Sequence, residues 1–289
     1  MLIFLVIFVF IDGFLFFSYN RSTVGDSSTN GNNVLDEMRK DQIAFSKPSN
    51  DAHYGYYFSA TLTNDLRQNA TNLQQQTYHF SGTELISQFK EPITADNSGD
   101  LKKAVDKVVS NANLVSHGSE YRYSKQLSNQ DQLIYVQRVA KGPVYSKDGQ
   151  LRFTISDNHR VIGYSQSYLD NVDLLREKTK TISEERALTW LYQYNEIPNG
   201  TKVTWANLAY TRLTTARGKA VFLPTWVFAL KPNNSDTVVM KRVNAYTGEI
   251  LKTGSSQSPS SNANPEILSM TWCAKIVAFF KKMRCNGLV

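Results

Sequence analysis

Thr181-Ile182-Ser183-Glu184-Glu185-Arg186-Ala187-Leu188-Thr189-Trp190-Leu191-Tyr192 is the stretch whose reading decides the fold. Thr181 with Glu184 has the form of a capping box, and Ser183 is an equally good N-cap. Ala187, Leu188, Leu191 and Tyr192 recur at helical spacing and mark a buried stripe. Pro198 and Gly200 end the helix. Strand-like runs follow at Val203 to Leu213, Ala220 to Leu230, Thr237 to Tyr246 and Glu249 to Leu251. Tyr246-Thr247-Gly248-Glu249 reads as a tight turn that needs glycine for its backbone. The unit is one helix followed by an antiparallel meander.

The same plan appears upstream. From Ser98 onward, Leu101, Ala104, Val105, Val108, Val109 and Ala112 keep a helical rhythm, with Asp100 in the first turn where the helix dipole favours negative charge. Strands are expected at Leu133 to Val139, Leu151 to Ile155 and Val161 to Tyr168. The turns Lys147-Asp148-Gly149 and Asp157-Asn158-His159 separate them, as in hairpins. Further back, Gln74 to Phe80 and Tyr54 to Phe58 read as strands, and Val34 to Phe45 as a weak helix closed by the turn Lys47-Pro48-Ser49-Asn50. The two halves share a plan but little residue identity, which suggests duplication at the level of architecture only.

The first seventeen residues, Met1 to Phe17, are apolar apart from Asp12 and Gly13. That length sits at the lower limit of about 17 residues for a spanning helix. The sequel Ser18-Tyr19-Asn20-Arg21-Ser22 offers no small-residue cleavage site, and Tyr19 suits a membrane interface, so an uncleaved anchor is favoured over a signal peptide. Cytoplasmic flanks are usually positive, yet only the terminal amine precedes this run and Arg21 follows it. We expect a short basic leader upstream of the given start; the alternative is that so short a flank does not test the rule. A carboxylate inside a membrane costs about 2.5–3.5 kcal/mol on insertion scales. Asp12 either faces a partner helix or is tolerated near the end of a short span, and the two readings weigh evenly. Phe8, Val9, Leu15 and Phe16 share its helix face and form the expected interaction surface.

The expected fold class is therefore α+β: an N-terminal transmembrane helix, then an extracytoplasmic region of two helix-plus-antiparallel-meander modules. The expected divisions are a transmembrane anchor at 1–19, a flexible tether at 20–50, a first module at 51–170, a second at 171–254, and a Ser-rich linker with a basic tail at 255–289. The tail carries Trp272, Phe279 and Phe280 beside Lys275, Lys281, Lys282 and Arg284, a mix that suits an interfacial helix.

Composition excludes several functions. Both cysteines, Cys273 and Cys285, lie in that tail, so the body has neither a disulfide framework nor a cysteine zinc site. The net charge of +7 is spread among interspersed acids and bases, unlike the basic stripe of a nucleic-acid binder. The four histidines, His53, His79, His117 and His159, are scattered at turns and strand edges, and no metal, Walker, dinucleotide or nucleophile-elbow motif occurs. No catalytic, cofactor or metal residue is assigned, and the chain is read as not an enzyme. Tyr164, Tyr168, Trp205, Tyr210, Trp226 and Tyr246 suit an interface, although plain helix-to-sheet packing is the commoner fate of each.

One succession of segments goes further: Ile162-Gly163-Tyr164-Ser165-Gln166-Ser167-Tyr168-Leu169-Asp170-Asn171-Val172, then Ile182 to Leu188 and Leu191-Tyr192, then Asn195-Glu196-Ile197-Pro198-Asn199-Gly200, Leu208-Ala209-Tyr210, Leu223-Pro224-Thr225-Trp226-Val227-Phe228 and Val243-Asn244-Ala245-Tyr246-Thr247-Gly248-Glu249-Ile250. With the N-terminal anchor and polar tether, this order resembles the YycI family of Gram-positive bacteria, also called WalI. The motif residues that carry the resemblance are Tyr164, Gln166, Pro198, Tyr210, Pro224, Trp226, Asn244 and Gly248. The resemblance covers the anchor and roughly residues 34–252, and the tail after Ser255 departs from it, either as a lineage-specific addition or as a frameshift product.

The resemblance implies a plasma-membrane, single-pass protein with its bulk outside the cytoplasm. It would regulate the sensor histidine kinase of an essential cell-wall two-component system through protein contact, together with a YycH-type protein. It implies no cofactor and no catalytic residue. The alternative is an exported binding module that senses a peptide or cell-wall fragment; an envelope hydrolase ranks third, since no nucleophile and base are paired.

Overall fold

The computed structural model describes residues 10–14, 28–62, 65–95 and 100–251. Chain contacts divide the protein into a unit of residues 1–253 and a unit of residues 254–289. The second unit, with the expected linker, tail and both cysteines, lies outside the described residues. The first is a mixed α+β unit of mostly antiparallel sheets.

Besides the helical residues 10–14, four helices are described: α1 (Ser28–Lys40), α2 (Asp65–Asn69), α3 (Leu101–Val109) and α4 (Glu184–Gln193). Both of the longer helices expected from periodicity are present. Asp100 is the N-cap of α3 rather than a first-turn residue, its carboxylate accepting from the Lys103 amide at 3.3 Å. Ser183 caps α4, accepting from the Arg186 amide at 3.2 Å. The competing cap, Thr181, has its hydroxyl buried without a partner among the described residues. α1 starts earlier than Val34 and ends at Lys40 rather than Phe45.

One sheet has seven strands, in the order β3 (Gln76–Ser81), β4 (Glu84–Ile93), β9 (Val161–Gln166), β8 (Gln150–Ile155), β6 (Gln132–Val139), β5 (Tyr121–Tyr123), with β7 (Gly142–Pro143) also against β6. The other has six, in the order β10 (Leu169–Leu174), β2 (Phe58–Leu62), β13 (Lys219–Pro232), β14 (Val239–Asn244), β15 (Ile250–Leu251), with β12 (Thr201–Ala216) along the other side of β13. A two-stranded ribbon joins β1 (Tyr54–Gly55) to β11 (Thr179–Lys180).

Side-chain alternation along the strands stacks these elements in four layers. Val105, Val108 and Val109 of α3 pack on Leu85, Leu151, Phe153 and Tyr164 of the seven-stranded sheet. The opposite face of β6, through Ile134 and Val136, meets Ala209 and Val227 of the six-stranded sheet. The outer face of that sheet, through Trp226, Phe228 and Leu230, receives Ala187, Leu188 and Leu191 of α4 with Leu35 and Met38 of α1. At about 1.5–3 kcal/mol for each large side chain fully buried, these interlayer contacts dominate the stability.

Three features differ from the sequence reading. The run Tyr54 to Phe58 is split between β1 and β2, and β2 pairs with β13 and β10, so a strand expected in the first module is built into the second sheet. Phe58, fully buried, stacks on Phe222 with ring centres 4.9 Å apart and meets Tyr210 edge-on at 4.9 Å. The ten-residue strand β4 had no counterpart in the reading. Its inward face alternates Leu85, Ser87 and Phe89, and the buried Ser87 hydroxyl donates to the Gln76 side chain, so a polar pair interrupts the apolar pattern. β10 likewise lies beyond the strand expected to end at Tyr168.

Among the described residues no helix is long and apolar enough to cross a membrane. Residues 10–14 are helical and exposed, Asp12 among them. The rest of the expected anchor, with Phe8, Val9, Leu15 and Phe16, lies outside the described residues.

Candidate functional site

The long strand β12 is an edge. It pairs with β13 along its length and otherwise meets the chain at two isolated parallel bridges, Ala44 with Lys202 and Val144 with Tyr210. At one end Ala44 donates to the Thr201 carbonyl and accepts from the Val203 amide; at the other the Tyr145 amide donates to the Tyr210 carbonyl. Backbone groups alternate in direction along an antiparallel strand. With the Tyr210 carbonyl aimed away from β13 and no irregularity between Trp205 and Tyr210, the N–H and C=O of Ala206 and Leu208 also point outward. No described strand pairs with β12 between the two bridges.

A cleft of about 480 Å³ lies along this open edge. Ala206 to Tyr210 form one side, residues 53–56 a second and the hairpin 140–143 a third, with Pro224 and Trp226 from β13 also lining it. Gly55 makes the approach of the 53–56 arm possible, since a Cβ there would stand 2.3 Å from Pro224 Cγ. The Tyr56 amide donates to the Tyr210 hydroxyl at 3.3 Å, which pins the arm, and burial raises the Tyr210 pKa above its ordinary value. Trp226 donates through Nε1 to the Ile182 carbonyl at 2.9 Å and takes the His53 ring edge-on at 5.6 Å.

Two cations and one acid line the cleft. Lys141 and Lys178 line it, and neither pairs with a carboxylate among the described residues. Lys178 Nζ sits 5.4 Å from the Tyr54 ring centre. The acid Glu184 is committed, accepting from the Ser49 amide at 3.3 Å within the first turn of α4. Free backbone groups beside unpaired cations and aromatic surface form recognition chemistry for an extended chain.

Three of the motif residues, Tyr210, Pro224 and Trp226, thus meet in one cleft, Tyr210 standing directly opposite Pro224 in the β12–β13 hairpin. Asn244 and Gly248 build the turn after β14: the Asn244 side-chain oxygen accepts from the Tyr246 amide at 2.9 Å, and the Gly248 amide donates to the Asn244 carbonyl at 2.8 Å. Tyr164 and Gln166 do not join them. They lie in the seven-stranded sheet and hold the loop after α3, Tyr164 donating to the Leu114 carbonyl at 2.8 Å and Gln166 to the Ser116 carbonyl at 2.6 Å. Pro198 is exposed in the loop leading into β12. Of the other interface candidates, Trp205 packs on Tyr145, and Tyr246 stacks on Tyr57 at 4.9 Å with its hydroxyl buried and without a described partner.

Sequence reasoning missed two features. The open edge left no signal, because an edge strand and an inner strand share one alternation pattern. His117, read as a surface residue, is partly buried between two acids, with Nε2 2.6 Å from Asp65 and Nδ1 3.4 Å from Glu120, and stacked on Tyr168 at 4.2 Å. His53, His79 and His159 are exposed.

Comparison with known proteins adds a family. A family model described as YycI protein matches residues 22–246. No curated protein matches the chain. Among solved structures, the chain is similar to an uncharacterized protein from Eubacterium rectale, at 10% identity over 77% of this chain and 99% of that one, with a TM-score of 0.45. It is also similar to the C-terminal domain of Bacillus megaterium YpeB, at 14% identity over 78% of this chain and 95% of that one, with a TM-score of 0.34.

Proposed function

The chain belongs to the YycI family, and from that premise we propose that it is a membrane-anchored regulator of the sensor histidine kinase in a cell-wall two-component system. The observation that carries this reading is the family match over residues 22–246. It supports a part in signal transduction by a two-component system. The finer reading has the bulk outside the cytoplasm, a single N-terminal span in the plasma membrane, and control exerted by contact with the kinase and a YycH-type protein. It involves no cofactor and no catalysis by this chain.

The anchor is an active part of this proposal. Without a hydrophobic drive between helices in lipid, packing and polar contacts decide association. Phe8, Val9, Asp12, Leu15 and Phe16 share one helix face by spacing. A passive anchor would be better served by Leu than by Asp at position 12. Interhelical hydrogen bonds in membranes average about 0.6 kcal/mol, so Asp12→Leu weakens control without abolishing it. Two variants test this, one with the anchor exchanged for an unrelated apolar helix and one carrying Asp12→Leu, each read out as kinase-dependent transcription and as co-purification with the kinase. Full control by the exchanged anchor would refute an interacting anchor. Failure to co-purify the wild-type chain with the kinase would refute the regulatory reading.

The cleft along β12 favours a second reading beside the first, a module that binds an extended peptide.

A further inference from the structure

We propose that the open edge of β12 binds a short, extended, acidic peptide segment by strand addition between the Ala44 and Val144 bridges. The biological role of the site rests on the contact-protein reading above; the binding itself does not.

The occupant follows from three observations. First, the free edge is short. Residues 205–209 lie between the bridges, about 17 Å of strand at roughly 3.3 Å per residue. Within it the N–H and C=O of Ala206 and Leu208 point outward, in the spacing that pairs with one extended chain. An unpaired edge is a ready template for another strand, and proteins ordinarily block it with charge, proline or a covering segment. Here Ala44 and Val144 block its two ends and leave the middle open.

Second, the middle is walled. The 53–56 arm and the 140–143 hairpin both line the cleft, and the arm is fixed by Gly55 against Pro224 and by the Tyr56–Tyr210 hydrogen bond. Edge-to-edge pairing of a second copy would need a long unobstructed strand, which these walls deny. A single peptide of about five paired residues fits.

Third, the charge is net positive. Lys141 and Lys178 line the cleft without carboxylate partners among the described residues, against the single acid Glu184, which keeps its charge while one of its oxygens accepts from the Ser49 amide. Aspartate or glutamate side chains, or a terminal carboxylate, on the added strand complete these pairs. Main-chain bonds to Ala206 and Leu208 then supply affinity, and the lysines supply the preference for acids.

The test uses the full 289-residue chain and a displayed library of random nine-residue peptides. The expected result is enrichment of proline-free segments carrying Asp or Glu. Synthetic copies of them should slow hydrogen exchange at the Ala206 and Leu208 amides. They should bind about fivefold or more weakly to the Lys141→Glu, Lys178→Glu double variant, in line with two exposed charge pairs. Ala206→Pro, which removes one outward N–H from an edge position where proline is tolerated, should weaken the same peptides. Three outcomes each overturn the proposal: no enrichment, enrichment of peptides that leave both amides unprotected, or equal binding by the charge-reversed variant. Kinase output measured in parallel separates the two ideas, since peptide binding with unchanged kinase control would sustain the site and show that it has no part in that control, whereas loss of co-purification with the kinase would defeat the regulatory reading and leave the site standing.

Discussion

The indole of Trp190 covers the α-carbon of Gly248: a Cβ built on that glycine would stand 1.3 Å from Trp190 Cζ3. Gly248 also has φ +75, a backbone conformation that L side chains rarely adopt. Two independent constraints therefore meet at one motif residue, one from the turn after β14 and one from helix α4.

Gly248→Ala is expected to destabilise the protein by at least about 2 kcal/mol, combining left-handed strain with displacement of the indole. In a Trp190→Ala background the same substitution should cost less, because only the strain remains. Urea unfolding of the four proteins of this cycle measures the difference, and equal costs in both backgrounds would mean that the ring does not press on the turn.

Ser183→Ala should cost about 1 kcal/mol through loss of the cap on the Arg186 amide. Thr181→Val should be neutral or stabilising, since it replaces a buried hydroxyl that has no described partner with a methyl group. Thermal unfolding of both variants distinguishes them; a larger loss from Thr181→Val would assign the cap to the wrong residue.

Tyr210→Phe removes the acceptor for the Tyr56 amide. The expected outcome is faster hydrogen exchange at Tyr56 with a global loss of about 1 kcal/mol, the worth of one ordinary hydrogen bond. Unchanged exchange at Tyr56 would show that the arm is held by the Gly55–Pro224 contact alone.

Stability should fall with rising pH above about 10. Tyr121, Tyr135 and Tyr164 are buried, and burial is the main cause that raises each pKa above the ordinary tyrosine value. Below pH 10 both folded and unfolded states keep these protons. Above it the unfolded chain releases them while the folded chain holds them, so the stability present at neutral pH is lost as pH rises. Each such tyrosine contributes a slope of up to about 1.4 kcal/mol per pH unit. Tyr164→Phe should flatten the unfolding free energy between pH 10 and 11 relative to wild type, and parallel curves would contradict this.

Sequence alone determined the elements whose signals are local. Helices α3 and α4 were legible because Val105, Val108 and Val109, and Ala187, Leu188 and Leu191, repeat at helical spacing, and strands β6, β8, β9, β12 and β13 because their apolar runs are bounded by turn residues. The need for glycine at 248 was legible as turn chemistry, and the succession of motifs was enough to indicate the family. Only the tertiary structure decided the rest. It placed β2 in the second sheet, because the ring contacts of Phe58 with Phe222 and Tyr210 form only when strands remote in sequence pair. It chose Ser183 over Thr181 as the cap, because that choice depends on which oxygen the Arg186 amide meets. It opened the edge of β12, because an edge is defined by the strand that is not beside it. Periodicity records which face of a strand is buried; it holds no information on which neighbour lies across the hydrogen bonds, and the cleft is made of those missing neighbours.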